Sequence, residues 1–129
     1  MTRWDDAIAS RAMRSVDEVT DAQFAKYRSR VAELATMVQL SGVAATLAFL
    51  AGRDDPSHAL AGEHLARELG PLVERAGPDA TPGNVARDTL ALDTDARVVL
   101  ERHARVFAGW MKRTVEIRQR RTRPAVAES

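Results

Sequence analysis

Three observations predict an all-α fold. Apolar side chains recur every three or four residues through long stretches of the chain. No stretch alternates polar with apolar residues over the length of a strand. Ala, Leu, Glu and Arg are abundant, and aromatic residues make up 5% of the 129 residues. The expected architecture is a compact bundle of five to six helices ending in a long basic helix. It forms one domain over residues 1–123, followed by a disordered tail at 124–129. A chain of this size buries roughly two-thirds of its unfolded surface and needs no disulfide or metal to fold.

The first helix is expected over Arg3 to Val16, where Trp4, Ile8, Ala12 and Val16 form a narrow apolar stripe that Ala9 and Met13 widen. Thr20-Asp21-Ala22-Gln23 has the spacing of a capping box. It opens a second helix running to about Gln39, with Phe24, Tyr27, Val31, Leu34 and Val38 on its buried face and Lys26, Arg28 and Arg30 off it. Ser41-Gly42 breaks the pattern, since Gly costs about 1 kcal/mol in a helix interior relative to Ala. Ser41 is expected to cap a short apolar helix, Val43 to Ala51, whose Leu47, Phe49 and Leu50 belong to the central core. Gly52 is expected to end it in a left-handed conformation. Asp55-Pro56 pairs an N-cap with proline at the first helical position and opens the fourth helix. Leu60, His64, Leu65, Leu69, Leu72 and Val73 continue its apolar pattern, Gly70-Pro71 kinks it and Gly77-Pro78 ends it. Residues 77–83 form the clearest loop. Thr81-Pro82 opens a fifth helix reaching Leu92, Asp93-Thr94 caps the last helix, and Pro124 closes that helix.

The last helix, Asp95 to Arg123, is expected to have two faces. At roughly 100° per residue, Val99, Leu100, His103, Ala104, Val106, Phe107, Trp110, Met111, Thr114 and Ile117 fall on the apolar side. Arg97, Glu101, Arg102, Arg105, Lys112, Arg113, Glu116 and Arg120 fall on the other. The chain carries a formal charge of +1. That total conceals ten basic against fifteen acidic side chains over residues 1–96, and nine basic against two acidic from Arg97 to Arg123. Segregation of this kind points to an interaction face.

Several classes of chemistry find no support. There is no cysteine, so there is no disulfide, thiolate metal site or cysteine nucleophile. Phosphate-loop, dinucleotide-binding, nucleophile-elbow and paired-histidine zinc motifs are absent. Asp93 and Asp95 resemble the start of a calcium loop, but its twelfth position is Ala104 where a bidentate Glu is needed. His64 and Glu68 read as a helix-surface pair, His103 as a partly buried, hydrogen-bonded side chain, and His58 has no evident role. Asp5-Asp6, Asp17-Glu18 and Asp54-Asp55 lie at helix ends, where the helix dipole accounts for them without acid–base catalysis. No catalytic residue, metal or cofactor is expected. The N-terminus lacks a signal-peptide pattern, the longest apolar run, Val43 to Ala51, is too short to span a bilayer, and a cytoplasmic location is expected.

The basic face then has two readings. It is a solvated surface whose last arginines complement a helix C-terminus, or it contacts phosphates with little sequence preference. With Phe107 and Trp110 assigned to the core, only Trp4 or Tyr27 remains to stack on bases, so sequence-specific readout is not expected.

Two segments carry a family resemblance. Tyr27-Arg28-Ser29-Arg30 leads through Leu34 to Ser41-Gly42-Val43-Ala44-Ala45-Thr46-Leu47-Ala48-Phe49-Leu50-Ala51, and Phe107-Ala108-Gly109-Trp110-Met111-Lys112-Arg113-Thr114-Val115-Glu116 follows. In order and spacing they resemble the small, all-helical subunit of the Cmr-type (type III-B) CRISPR RNA-silencing complex, over about Val16 to Arg118. Three positions depart from that family's pattern: Ala35 stands for Pro, Val43 for Leu and Arg53 for Lys. The resemblance implies a non-catalytic subunit that lies beside the repeated backbone subunits, the large subunit and its own copies, and helps hold the guide RNA–target RNA duplex. The basic face and the resembling segments together give the candidate nucleic-acid contacts as Lys26, Arg30, Arg53, Arg97, Arg102, Arg105, Lys112, Arg113 and Arg120. The alternatives are a helical protein–protein module, or the small subunit of another CRISPR effector type, with no RNA contact. An enzyme assembled from His64, His103 and scattered carboxylates has no support in spacing.

Overall fold

A computed structural model describes residues 3–122. These form six α-helices in chain order: α1 (Arg3–Asp17), α2 (Asp21–Ser41), α3 (Val43–Ala51), α4 (Pro56–Leu69), α5 (Pro82–Leu90) and α6 (Thr94–Thr122). Two short 3-10 turns, Gly70–Val73 and Gly77–Asp79, link α4 to α5, and no strand occurs among the described residues. Pro124 and the expected tail at 124–129 lie outside them.

Helix α6 is the spine. α1 and α2 pack along it, α4 crosses α2 and α6, and α3 and α5 pair against α4. All six helices supply the core. Ile8, Val16, Tyr27, Leu34, Leu47, Leu65, Leu69, Leu100, Phe107 and Met111 are its largest fully enclosed side chains.

Local sequence sets most of the boundaries. Thr20 and Gln23 form both halves of the capping box. The Asp55 side chain accepts from Ser57 N–H at 2.7 Å ahead of Pro56. Thr81 caps α5 through Asn84 N–H, and Asp93 caps α6 through Ala96 N–H at 2.8 Å. The Gly70-Pro71 interruption becomes a 3-10 turn. It ends on Glu74 at φ 59°, the one non-glycine residue with positive φ among the described residues.

Some expectations need correction. Ser41 does not cap α3; it is the last residue of α2, and Gly42 takes the N-cap position with no side-chain cap bond of its own. Gly42 sits at φ 87°, a conformation open to glycine, so the chain turns sharply there. The orphan N–H of Val43 is bound instead by both carboxylate oxygens of Glu101 on α6, each at 3.1 Å. Gly52 is right-handed at φ −85°, not left-handed. Phe49 is not central core: its ring is partly exposed, edge-on to His58 and beneath Arg53. Gly62 has a packing role, because a Cβ there would come within 3.1 Å of Leu50 Cβ and 3.3 Å of Pro82 Cγ. Its bare backbone lets α3, α4 and α5 meet.

Candidate nucleic-acid interface

The buried arc of α6 is rotated from its expected place. Leu100, His103, Ala104, Phe107, Ala108, Met111, Thr114 and Val115 face the core. Val99 and Ile117 are exposed, and Val106 and Trp110 lie at the margin. Ala108 and Val115, not assigned to the apolar side by the sequence, are both buried. Arg118 lies on the inner arc too. Its guanidinium donates to Val16 C=O at 2.8 Å and to Asp21 at 3.0 Å, and sits over the Phe24 ring at 4.4 Å. This arginine ties the end of α6 to the α1–α2 turn.

The outward arc carries Arg102, Arg105, Lys112, Arg113 and Arg120, all exposed, with Glu116 among them. At 1.5 Å per residue, Arg102 to Arg120 spans about 27 Å. Two arginines are held against rings: Arg102 over Trp4 at 5.3 Å and Arg113 over Trp110 at 5.2 Å. Trp4 stands edge-on to His103. Arg105 and Lys112 make no ion pair among the described residues. Tyr27, a candidate stacking residue by sequence, is fully enclosed, whereas Trp110 retains some exposure.

The remaining suggested contacts lie elsewhere. Arg97 pairs with Glu101 at 3.7 Å, a carboxylate already engaged at the start of α3. Arg30 donates to Glu33 at 2.6 Å and to Ser57 at 3.1 Å at the α2–α4 junction. Arg53, beyond α3, lies over Phe49 at 5.1 Å, and Lys26 is exposed on α2. The structure therefore gathers five of the nine residues onto one helix face.

A second polar region was not legible in the sequence. His64 and Glu68 are both enclosed and look to different partners. The Tyr27 hydroxyl lies 2.7 Å from His64 Nδ1, and Glu18 approaches His64 Nε2 at 3.6 Å, which fits Tyr27 as the donor and a proton on Nε2. Burial lowers the His64 pKa to about 4, with Arg67 acting in the same direction, so the ring is neutral at neutral pH. Burial also pushes the Tyr27 hydroxyl well above its ordinary value. Glu68, its side chain 5% exposed, accepts from Arg11 at 2.9 and 2.8 Å and from His103 Nε2 at 2.7 Å. Burial alone would raise the Glu68 pKa, but the hydrogen bonds from His103 and Arg11 outweigh it and leave the pKa lowered. Arg11, Glu18, His64, Glu68 and His103 border a half-open cleft of about 640 Å³ among α1, α4 and α6. His64 and His103 are each hydrogen-bonded to a side chain of another helix. No group of three potential metal ligands occurs among the described residues, and no helix there is long and apolar enough to cross a membrane.

Fold and surface together define a small helical protein with one strongly basic face. The CRISPR-associated protein family (Cas_Cmr5) matches residues 5–118. The chain belongs to this Cmr5 family, the small-subunit family of Cmr-type effectors. Its structure is similar to the X-ray crystal structure of a CRISPR-associated Cmr5 family protein from Thermus thermophilus. The TM-score is 0.72 at 24% identity, covering 91% of this chain and 97% of the other, a likeness that concerns the fold. No curated protein matches the sequence.

Proposed function

We propose that the protein acts in the cytoplasm as a non-catalytic small subunit of a type III-B CRISPR RNA-silencing complex. Its α6 face binds the phosphate backbone of the guide–target duplex, and other surfaces meet the backbone-repeat subunit, the large subunit and further copies of itself. The observation that carries this reading is the row of Arg102, Arg105, Lys112, Arg113 and Arg120 along one exposed helix face, set in a domain, residues 1–123, that is otherwise acidic. Such a row follows a backbone without reading bases. Lys26 and Arg53 are further exposed cations away from this face, open to separate contacts, whereas Arg30 and Arg97 would have to give up internal partners to bind phosphate.

The test replaces Arg102, Arg105, Lys112 and Arg113 together by Glu. The expected result is loss of RNA binding with an unchanged helical circular dichroism spectrum. If the folded variant binds RNA and enters the complex like the parent chain, the basic face is not the contact. If RNA binding survives while assembly fails, the face serves a protein partner instead.

A further inference from the structure

We infer that a notch at Gly109, on the outward face of α6, receives one unpaired nucleobase of a single strand; the inference rests on the phosphate-binding reading of that face and adds to the duplex a second form of ligand, an unpaired strand. Gly109 lies near the middle of the longest helix, between the basic residues. A Cβ there would meet only Arg113 Nη1, at 3.9 Å, so packing does not require a bare position. Glycine is among the poorest helix formers, and no close contact requires it here.

Beside the bare Gly109 backbone lies an open, shallow notch of about 350 Å³ lined by Asp5, Arg105, Val106, Gly109, Trp110 and Arg113. Its chemistry suits a base better than a phosphate. Trp110, Val106 and the bare backbone make an apolar floor that a phosphate would leave unused. Arg105 and Arg113 flank the notch, placed to hold the phosphates on either side of an inserted base. Arg113 now covers the Trp110 ring at 5.2 Å. An exposed cation–π contact of this kind is weaker than the stacking of a base on an aromatic ring, so a base displaces the guanidinium toward phosphate. A duplex keeps its bases paired and presents only phosphates to this face. The notch therefore distinguishes a single strand from a duplex.

The chain has two tryptophans, so Trp4→Phe leaves Trp110 as the sole indole reporter. The full-length variant is titrated at low salt with a twelve-nucleotide oligouridylate, an RNA duplex of equal length and inorganic polyphosphate. Oligouridylate is expected to quench Trp110 emission, and the duplex and polyphosphate to bind with little quenching. Gly109→Gln fills the notch with a good helix former. It should weaken oligouridylate binding by about tenfold, the scale of one lost base–aromatic stack, and leave polyphosphate binding within about twofold. Equal quenching by all three ligands, or unchanged oligouridylate affinity in Gly109→Gln, overturns the inference while the phosphate reading survives. Failure of all three ligands to bind overturns both.

Discussion

Glu101→Ala should destabilise the domain through α3, although residue 101 lies on α6. The Glu101 carboxylate is bound to the Val43 N–H by both oxygens at 3.1 Å and rests beside the positive end of the α3 dipole. Removing a cap contact costs ~0.5–2 kcal/mol, and removing a negative charge from a helix N-terminus costs a further ~0.3–1 kcal/mol. The expected loss is about 2 kcal/mol. For a chain of 129 residues this lowers Tm by about 8 °C, between the sensitivities of smaller and larger domains. Glu101→Gln keeps one acceptor oxygen and should lose about half as much. Ser41→Ala is the control, since Ser41 is exposed and does not cap α3. It should stay within about 0.5 kcal/mol of the parent. Thermal unfolding followed by circular dichroism reads all three variants, and amide exchange at Val43 to Leu47 should quicken in Glu101→Ala. A Tm for Glu101→Ala within about 1 °C of the parent, or an equal loss in Ser41→Ala, would refute the reasoning.

Acid should weaken the fold through His64. Its folded pKa is about 4 and its ordinary value 6.5, so the unfolded chain binds the proton first. The contribution is fully present above pH 6.5 and is lost as pH falls toward 4. Urea midpoints at pH 7 and pH 5 should differ in the parent, with much of that difference absent in His64→Gln. Glu68, with a lowered pKa, adds stability above its ordinary value of 4.5 that is lost as pH falls below it. Its effect therefore lies in a more acidic window of the same titration. Arg118→Ala should destabilise by ~1–3 kcal/mol, because it leaves the Val16 carbonyl and the Phe24 ring without their partner. It should leave RNA affinity per folded molecule unchanged, which separates this structural arginine from the outward cations in a binding assay.

Helix starts were legible wherever the cap was local. Thr20 with Gln23, Asp55 with Pro56, Thr81 with Pro82, and Asp93 each act within three residues of their own position. The α3 cap was not legible, because Glu101 stands 58 positions away in the chain. The basic face was legible as a charge pattern, and Arg102, Arg105, Lys112, Arg113 and Arg120 do share one exposed arc. Its exact rotation was not. A periodicity reading sends every arginine to water and every large apolar residue inward, yet Arg118 turns in to reach a backbone carbonyl while Val99 and Ile117 stay out. His64 and Glu68 show the same limit. Spacing of four made them a surface pair, whereas each is enclosed and bonded to a side chain from another helix. Lys26, Arg30 and Arg53 could not be placed without the packing of α2, α3 and α4.

The salt dependence of RNA binding tests the central claim most directly. Five outward cations on α6 set a slope of log Kobs against log salt of about −4 to −5 on a duplex if each meets a phosphate. Neutralising Arg102, Arg105, Lys112 and Arg113 to Gln should make that slope shallower by about 3 to 4 while the helical spectrum is retained. A parent slope near zero, or an unchanged slope in the folded variant, would contradict the assignment of this face to the phosphate backbone.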